Sequence, residues 1–288
     1  MKVDRLGVLC ARLGLCSRNE AVRYARLGQI LVEGQPAQSA AVLVASDAAI
    51  ELSPRAKRMQ AQKVTLMLHK PMHYASCRAA PGVPLARKLL VPENRARSCR
   101  TRHDPRQLSK LDAADVLDVA SSGMLLFSQD GRVATCVSRD PQLEKEYRIV
   151  TAGEASSSQV RALQLGLQVI CSQAQVDLEK GYVPRAQKAK AAQDALPKPE
   201  DNKPEVKPDE FSIIRVTISG IVTSTILREV CAQAGILIYS FSRLRIGGIC
   251  LGDLPTGEWT VVSCVDELLL SYRTHSEQGK VAFWTFCW

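Results

Sequence analysis

Apolar positions along the chain fall into short periodic runs, and the period changes from run to run. Leu6, Leu9, Cys10 and Leu13 recur at helical spacing, and Gly14 stops that run. Ser17, with Glu20 three residues on, forms a capping box ahead of Ala21-Val22-Arg23-Tyr24, and Gly28 closes this second helix. QILVEGQPA then alternates with a period of two, turns at Glu33-Gly34 and returns through AVLVASDAAIEL, which predicts a hairpin. After the basic stretch PRAKRMQAQK, read as a hinge, VTLMLHKPMHY is a buried-strand pattern running into a Lys70-Pro71 turn. A second apolar strand begins at Gly123 (GMLLFSQDG), and a third, EKEYRIVTAG, follows a short helical stretch. Helix SSQVRALQLGLQV, strand FSIIRVTISG, helix TSTILREVCAQAG and the strand-rich ILIYSFSRLRIGGICLGDLPTGEW complete an α+β unit.

These runs divide the 288 residues into a small unit at 1–53, the hinge at 54–63, a larger unit at 64–275 and an apolar tail at 276–288. The segment 186–210 has four prolines and almost no large apolar residue, so it cannot offset its own ordering entropy. It is expected to be a disordered insertion within the larger unit rather than a domain boundary. The tail VAFWTFCW is sticky enough to dock on the protein's own core or on a protein partner. No apolar run approaches the roughly 20 residues of a membrane span, and no membrane partner is expected.

Composition is ordinary for a globular protein, with 46% hydrophobic and 23% charged residues, which excludes wholesale disorder. The formal charge of +9 is not spread evenly. Residues 54–110 hold 14 basic and 2 acidic side chains, whereas the rest of the chain is close to balance. The excess centres on a proline-interrupted, arginine-rich insertion at 78–110 that reads as basic loops. Arg suits phosphate because its planar fork donates two hydrogen bonds at once. The alternative is a solvated, partly disordered loop.

Ten cysteines are scattered with no C-x-x-C pair, as small core hydrophobes in a reducing, intracellular compartment would be. The four histidines are not clustered with them, so no metal site is expected. Lys2, Arg5, Arg12 and Arg18 give the N-terminus the charge of an organellar presequence, but its cleavage would remove the first helix of the small unit, so this segment is expected to be structural. The candidate chemistry lies in LDVASSGMLLFSQDG. Asp118 ends an apolar approach, and Ser121-Ser122-Gly123 is expected to wrap hydroxyls and backbone N–H groups around its carboxylate. An Asp that merely caps a turn is the other reading of the same residues.

The N-terminal pattern, carried among others by Arg5, Leu6, Gly14, Ser17, Glu20 and Gly34, resembles the S-four RNA-binding domain. That resemblance implies that Arg12, Arg18, Arg23 and Arg26 face RNA phosphates, contacts that position rather than specify. Further on, Leu68-x-Lys70-Pro71, Leu117-Asp118-x-x-Ser121-Ser122-Gly123, Glu144-Lys145-x-Tyr147 and the run Arg243–Trp259 occur in order. Together they resemble the S-four-containing ribosomal RNA pseudouridine synthases, which isomerise uridine in ribosomal RNA. The resemblance implies a helix-hairpin RNA-binding domain followed by a mixed, mainly antiparallel sheet with flanking helices. It also implies a reaction without cofactor or metal, in which Asp118 is the essential carboxylate, Tyr147 stacks on the base, and an Arg pairs with the Asp. A gapless reading back from Gly235 puts Arg228 on that pairing position. Lys70 and the loop residues Arg95, Arg97, Arg100 and Arg102 would contact RNA beside the cleft, and ribosomal RNA or a pre-ribosomal particle is the implied partner.

The chain also departs from the family pattern. Val116 stands where an Arg usually precedes the Leu-Asp, Val222, Thr223 and Ile226 replace polar or cationic positions, and His69 and His73 replace an Asn and a Gly around the Lys-Pro turn. Removing a buried polar partner typically costs about 1–3 kcal/mol. These changes support an alternative, an impaired relative kept as an RNA-binding factor of ribosome assembly, as in a mitochondrion. An organellar compartment is expected on the same grounds, with a bacterial-type cytoplasm as the alternative.

Overall fold

The computed structural model describes residues 3–99, 104–179, 211–263, 265 and 268–269. Arg100, Arg102, the 186–210 insertion and the 276–288 tail lie outside these described residues.

The N-terminal unit comprises β1 (Val3–Arg5), α1 (Leu6–Arg12), α2 (Arg18–Arg26), β2 (Ile30–Val32), β3 (Gln35–Pro36), β4 (Leu43–Ala45) and β5 (Ile50–Leu52). The capping box forms as the sequence dictates, with the Ser17 N–H donating to Glu20 Oε2 at 2.8 Å and the Glu20 N–H to Ser17 Oγ at 3.4 Å. Leu6, Leu9 and Cys10 are buried against Tyr24, Ile30 and Leu52, whereas Leu13 sits past the helix end and is exposed. The expected hairpin is split. Past β3 the Ala37 N–H still donates to the Ile30 carbonyl at 2.9 Å, and the returning chain then pairs β4 with β1 and only afterwards brings β5 to the far edge of β2.

A helix stands where a hinge is expected. In α3 (Pro54–Ala61), Ser53 Oγ accepts the Ala56 N–H at 3.2 Å, Pro54 occupies the first turn, and Ala56 and Gln60 are buried one turn apart. The basic side chains Arg55, Lys57 and Arg58 lie on its exposed side while Ala56 joins the N-terminal core, so the segment extends that unit.

The larger unit is a nine-stranded mixed sheet made of β6 (Thr65–Lys70), β7 (Asp112–Ala113), β8 (Ser122–Ser128), β9 (Glu144–Thr151), β10 (Gln175–Glu179), β11 (Ile213–Ser219), β12 (Ile238–Ile246), β13 (Ile249–Cys250) and β14 (Trp259–Val261). The main path runs β10-β11-β9-β12-β8-β6-β14, and every pair on it is antiparallel except β12 with β8. Helices α5 (Ser157–Ile170) and α6 (Ser224–Gln233) cover the face that carries Tyr147, Ile149, Ile214, Val216 and Phe241. Helix α4 (Gly131–Arg139) packs on the opposite face against Met124, Leu126 and Ile246. Over β8, β6 and β14 the α5/α6 face is covered instead by the loops between Pro71 and Leu117. Ala86, Leu90 and Leu117 bury there with Trp259, whose Nε1 donates to the Val91 carbonyl at 2.7 Å. The described part of the basic insertion is therefore built into the core at its apolar positions. No helix among the described residues is long and apolar enough to cross a membrane.

The two units touch at the start of α4. Lys63 bonds Glu20 and lies 3.8 Å from Asp130, and Arg132 grips Asp130 at 2.6 Å while donating to the Gly14 carbonyl at 3.3 Å. A side chain at Gly131 would meet Ser17 Cβ at 2.6 Å.

Candidate active site

Asp118 lies in the seam between α6 and the loops that cover β8 and β6. The seam has a defined floor. In register across four strands stand Tyr147 on β9, Arg243 on β12, Gly123 on β8 and Lys70 on β6. Gly123 has φ +105°, and a Cβ there would sit 2.3 Å from the Arg243 carbonyl oxygen, so this position takes only glycine. The missing side chain lets the β8 and β12 backbones close up between the two cations of the row.

The Asp118 N–H donates to Ser224 Oγ at 3.2 Å, which ties the loop to the first turn of α6. Thr223 caps that helix, its Oγ accepting the Ile226 N–H at 3.4 Å, so one residue that departs from the family pattern has a structural task here. From the next turn Arg228 reaches back. Its Nε lies 3.3 Å from Asp118 Oδ2, its Nη2 donates to the Ala120 carbonyl at 2.7 Å, and its guanidinium carbon stands 4.9 Å over the Phe241 ring. The residue placed by a gapless count thus meets the carboxylate. Asp118 retains about a fifth of its side-chain surface, and neither of its buried oxygens accepts a hydrogen bond.

The two serines are not where they are expected. Ser121 Oγ turns to Arg228 rather than to the carboxylate, and Ser122, already in β8, points to the other sheet face, where its Oγ bonds Ser242 Oγ at 2.6 Å. Strand alternation forces this, because Ser122 and Gly123 must face opposite sides. Tyr147 is buried, its ring centroid 5.3 Å from that of Phe241, and its phenol lies beside Arg243. Burial pushes the phenol pKa up, and the Arg243 charge opposes that shift.

Lys70 also differs from expectation. It is fully buried, and its Nζ donates to the Pro71 and Tyr74 carbonyls, each at 2.9 Å, so it does not lie on an RNA-facing surface. Desolvation pulls its pKa down to about 8, against the attraction of Asp118. Sequence reasoning missed Asp115 altogether. Its Oδ2 receives Arg243 Nη1 at 2.8 Å and Lys145 Nζ at 3.2 Å, a buried charge cluster near Tyr147. The only sequence signal for it was an acidic residue three positions ahead of Asp118.

His69 faces away from the seam, its Nδ1 2.7 Å from the Leu254 carbonyl oxygen. His73 is exposed at φ +68°, a conformation that favours glycine and costs another residue on the order of 1 kcal/mol. Val116 is 54% exposed at the edge of the site.

Of the proposed RNA contacts, Arg18 and Arg26 are exposed on α2, Arg12 is tied to Asp4 at 2.9 Å, and Arg23 is half-buried with its guanidinium 5.3 Å over the Tyr24 ring. Arg95 and Arg97 are exposed at the β14 edge, where Arg95 bridges to Trp259. That is three strand spacings from Gly123, roughly 15 Å. A cleft of about 620 Å³ lies between α3 and the start of α4, lined by Lys63 and Asp130 rather than by Asp118.

Residues 4–50 match the S4 domain family. Over 170 residues the chain is 27% identical to a ribosomal small subunit pseudouridine synthase A from Vibrio vulnificus (strain CMCP6). The chain therefore carries an S4 domain and is similar to a pseudouridine synthase over somewhat more than half its length. That match spans 59% of this chain and 66% of the relative, a little under two thirds of the relative's length. Among solved structures, a pseudouridylate synthase aligns over 92% of this chain and 99% of its own, at 19% identity and a TM-score of 0.49. An archaeal box H/ACA sRNP Nop10–Cbf5 complex aligns over 78% of this chain and 58% of its own, at 14% identity and a TM-score of 0.38.

Proposed function

We propose that this protein is a ribosomal RNA pseudouridine synthase. The observation that carries the reading is Asp118, a carboxylate at the Leu-Asp-x-x-Ser-Ser-Gly position, held against Arg228 with its oxygens free of hydrogen bonds. A carboxylate so placed can attack the sugar carbon or take a sugar proton while the bond from ribose to base breaks. The detached uracil turns and reattaches through carbon, which requires an enclosed site. Tyr147 lies on the floor of that site. The target nucleotide leaves its stack to enter, at least cost where RNA is already single-stranded. The S4 domain and the Arg95–Arg97 edge would hold the flanking phosphates. In this reading the protein acts during ribosome biogenesis, in an organelle such as the mitochondrion.

Val116, an exposed neutral residue where an eversion-assisting Arg is usual, favours a second reading as an assembly factor without turnover. Mapping pseudouridine in ribosomal RNA from cells with and without the protein, complemented by the native chain or by Asp118→Asn, separates the two. Loss of a specific pseudouridine that only the native chain restores supports the enzyme. An unchanged map, with ribosome assembly rescued equally by both chains, supports the assembly factor.

A further inference from the structure

Arg243 is 1% exposed, and two of its three guanidinium nitrogens are committed. Nε donates to the Met124 carbonyl at 2.9 Å and Nη1 to Asp115 Oδ2 at 2.8 Å, so the group is fixed in one plane. Nη2 is buried and meets no acceptor at hydrogen-bonding geometry, although the Tyr147 phenol stands beside the guanidinium. An orphaned buried donor typically costs about 1–3 kcal/mol, and it persists where something else supplies the acceptor. Its place in the site is defined. Arg243 stands in register between Tyr147 and Gly123, beside the seam that holds Asp118.

Charge points the same way. Lys70, Lys145, Arg228 and Arg243 stand around the site against two carboxylates, Asp115 and Asp118. The surplus is positive and largely out of water, where a developing negative charge is stabilised most strongly.

We propose that Arg243 is a substrate-contacting catalytic residue, its Nη2–H donating to a carbonyl oxygen of the target uracil and stabilising that ring as it leaves the sugar. This rests on the pseudouridine synthase reading. In the isomerisation the C1′–N1 bond breaks and its electron pair leaves with the ring, shared between N1 and the two carbonyl oxygens. Asp118 meanwhile either bonds C1′ and departs again as carboxylate when C5 attacks, or takes the C2′ proton and later returns it. The ring turns, C5 bonds C1′ with a ring electron pair, C5 loses its proton and N1 gains one, so the atoms of substrate and product are the same. Arg243 acts while the pair resides on the ring. Tyr147, whose phenol touches the same guanidinium, shares the task of orienting the base.

Arg243→Lys keeps a cation opposite Asp115 and removes the third donor. With the RNA that the native protein modifies, kcat should fall at least 100-fold while KM and RNA affinity stay within twofold; an unchanged kcat overturns the proposal. If R243K does not fold, the native protein is given the same RNA with 2-thiouridine or 4-thiouridine at the target. A thio-base is the better leaving group but the poorer hydrogen-bond acceptor, so at least a tenfold slowing of one of the two marks the contacted oxygen. Equal or faster rates for both overturn it. If the native protein modifies no ribosomal RNA, the enzyme reading fails by itself. Saturable binding of free uracil, weakened at least tenfold in R243K, would then still support the Arg243 contact, and no uracil binding to the native chain would refute it.

Discussion

Lys70 is the residue whose environment disagrees most with its chemistry. A fully buried ammonium among Arg243 and Arg228 is disfavoured, and its pKa is down at about 8 against an ordinary 10.5. A lysine with a lowered folded-state pKa binds fewer protons folded than unfolded between those values, so its contribution to stability rises as pH increases through 8. Cys136 and Cys231, pushed up to about 12 by burial, work in the opposite sense above pH 9. The informative window is therefore pH 7.5–9. Denaturant melts should show stability increasing across it in the native chain, with a flatter profile in Lys70→Met. Parallel profiles would mean that Lys70 titrates normally. Asp118 was legible as a candidate because the residues around it are local in sequence. The burial of Lys70 was not legible, since it depends on how the Pro71–Tyr74 turn folds back over the strand end.

Elements meet at the site through a single parallel pairing, β12 with β8, and Gly123 is its pivot. Gly123→Ala should destabilise by more than about 3 kcal/mol, because the added carbon meets backbone rather than a side chain that can move. Chemical denaturation measures this directly, and a loss below about 1 kcal/mol would show that the strands part to accept it. The capping box and the main strands could be read from the sequence because each is set within a few residues. The α3 helix was hidden by its charge. Four cations in ten residues suggest a solvated link, while the features that decide the outcome are the Ser53 cap and the Ala56/Gln60 stripe. The Asp115–Arg243–Lys145 cluster was hidden by distance along the chain, because it is assembled only once β8, β9 and β12 find their register.

At the scale of the whole molecule, the charge is as uneven in space as it is in sequence. The basic insertion anchors its apolar residues on Trp259 and leaves Arg95 and Arg97 outward at the sheet edge. The S4 domain is braced on α4 through Lys63, Asp130 and Arg132. Neutralising Arg95, Arg97, Arg100 and Arg102 should weaken RNA binding and lower its salt slope by about 0.7 for each RNA phosphate left without a cation. Neutralising any four cations after residue 111 outside the site should do less. Equal weakening from both sets, in binding titrations at several salt concentrations, would reduce the basic segment to a solubility feature.

The central chemistry is that of Asp118 acting upon uridine. Ribosomal RNA transcribed with uridine tritiated at C5 loses its label when carbon replaces nitrogen at the sugar. The purified native protein should release tritium from it, and Asp118→Asn should release none while binding the RNA equally well. Release by both chains at the same rate, or no release by the native protein from any ribosomal RNA, would contradict the account.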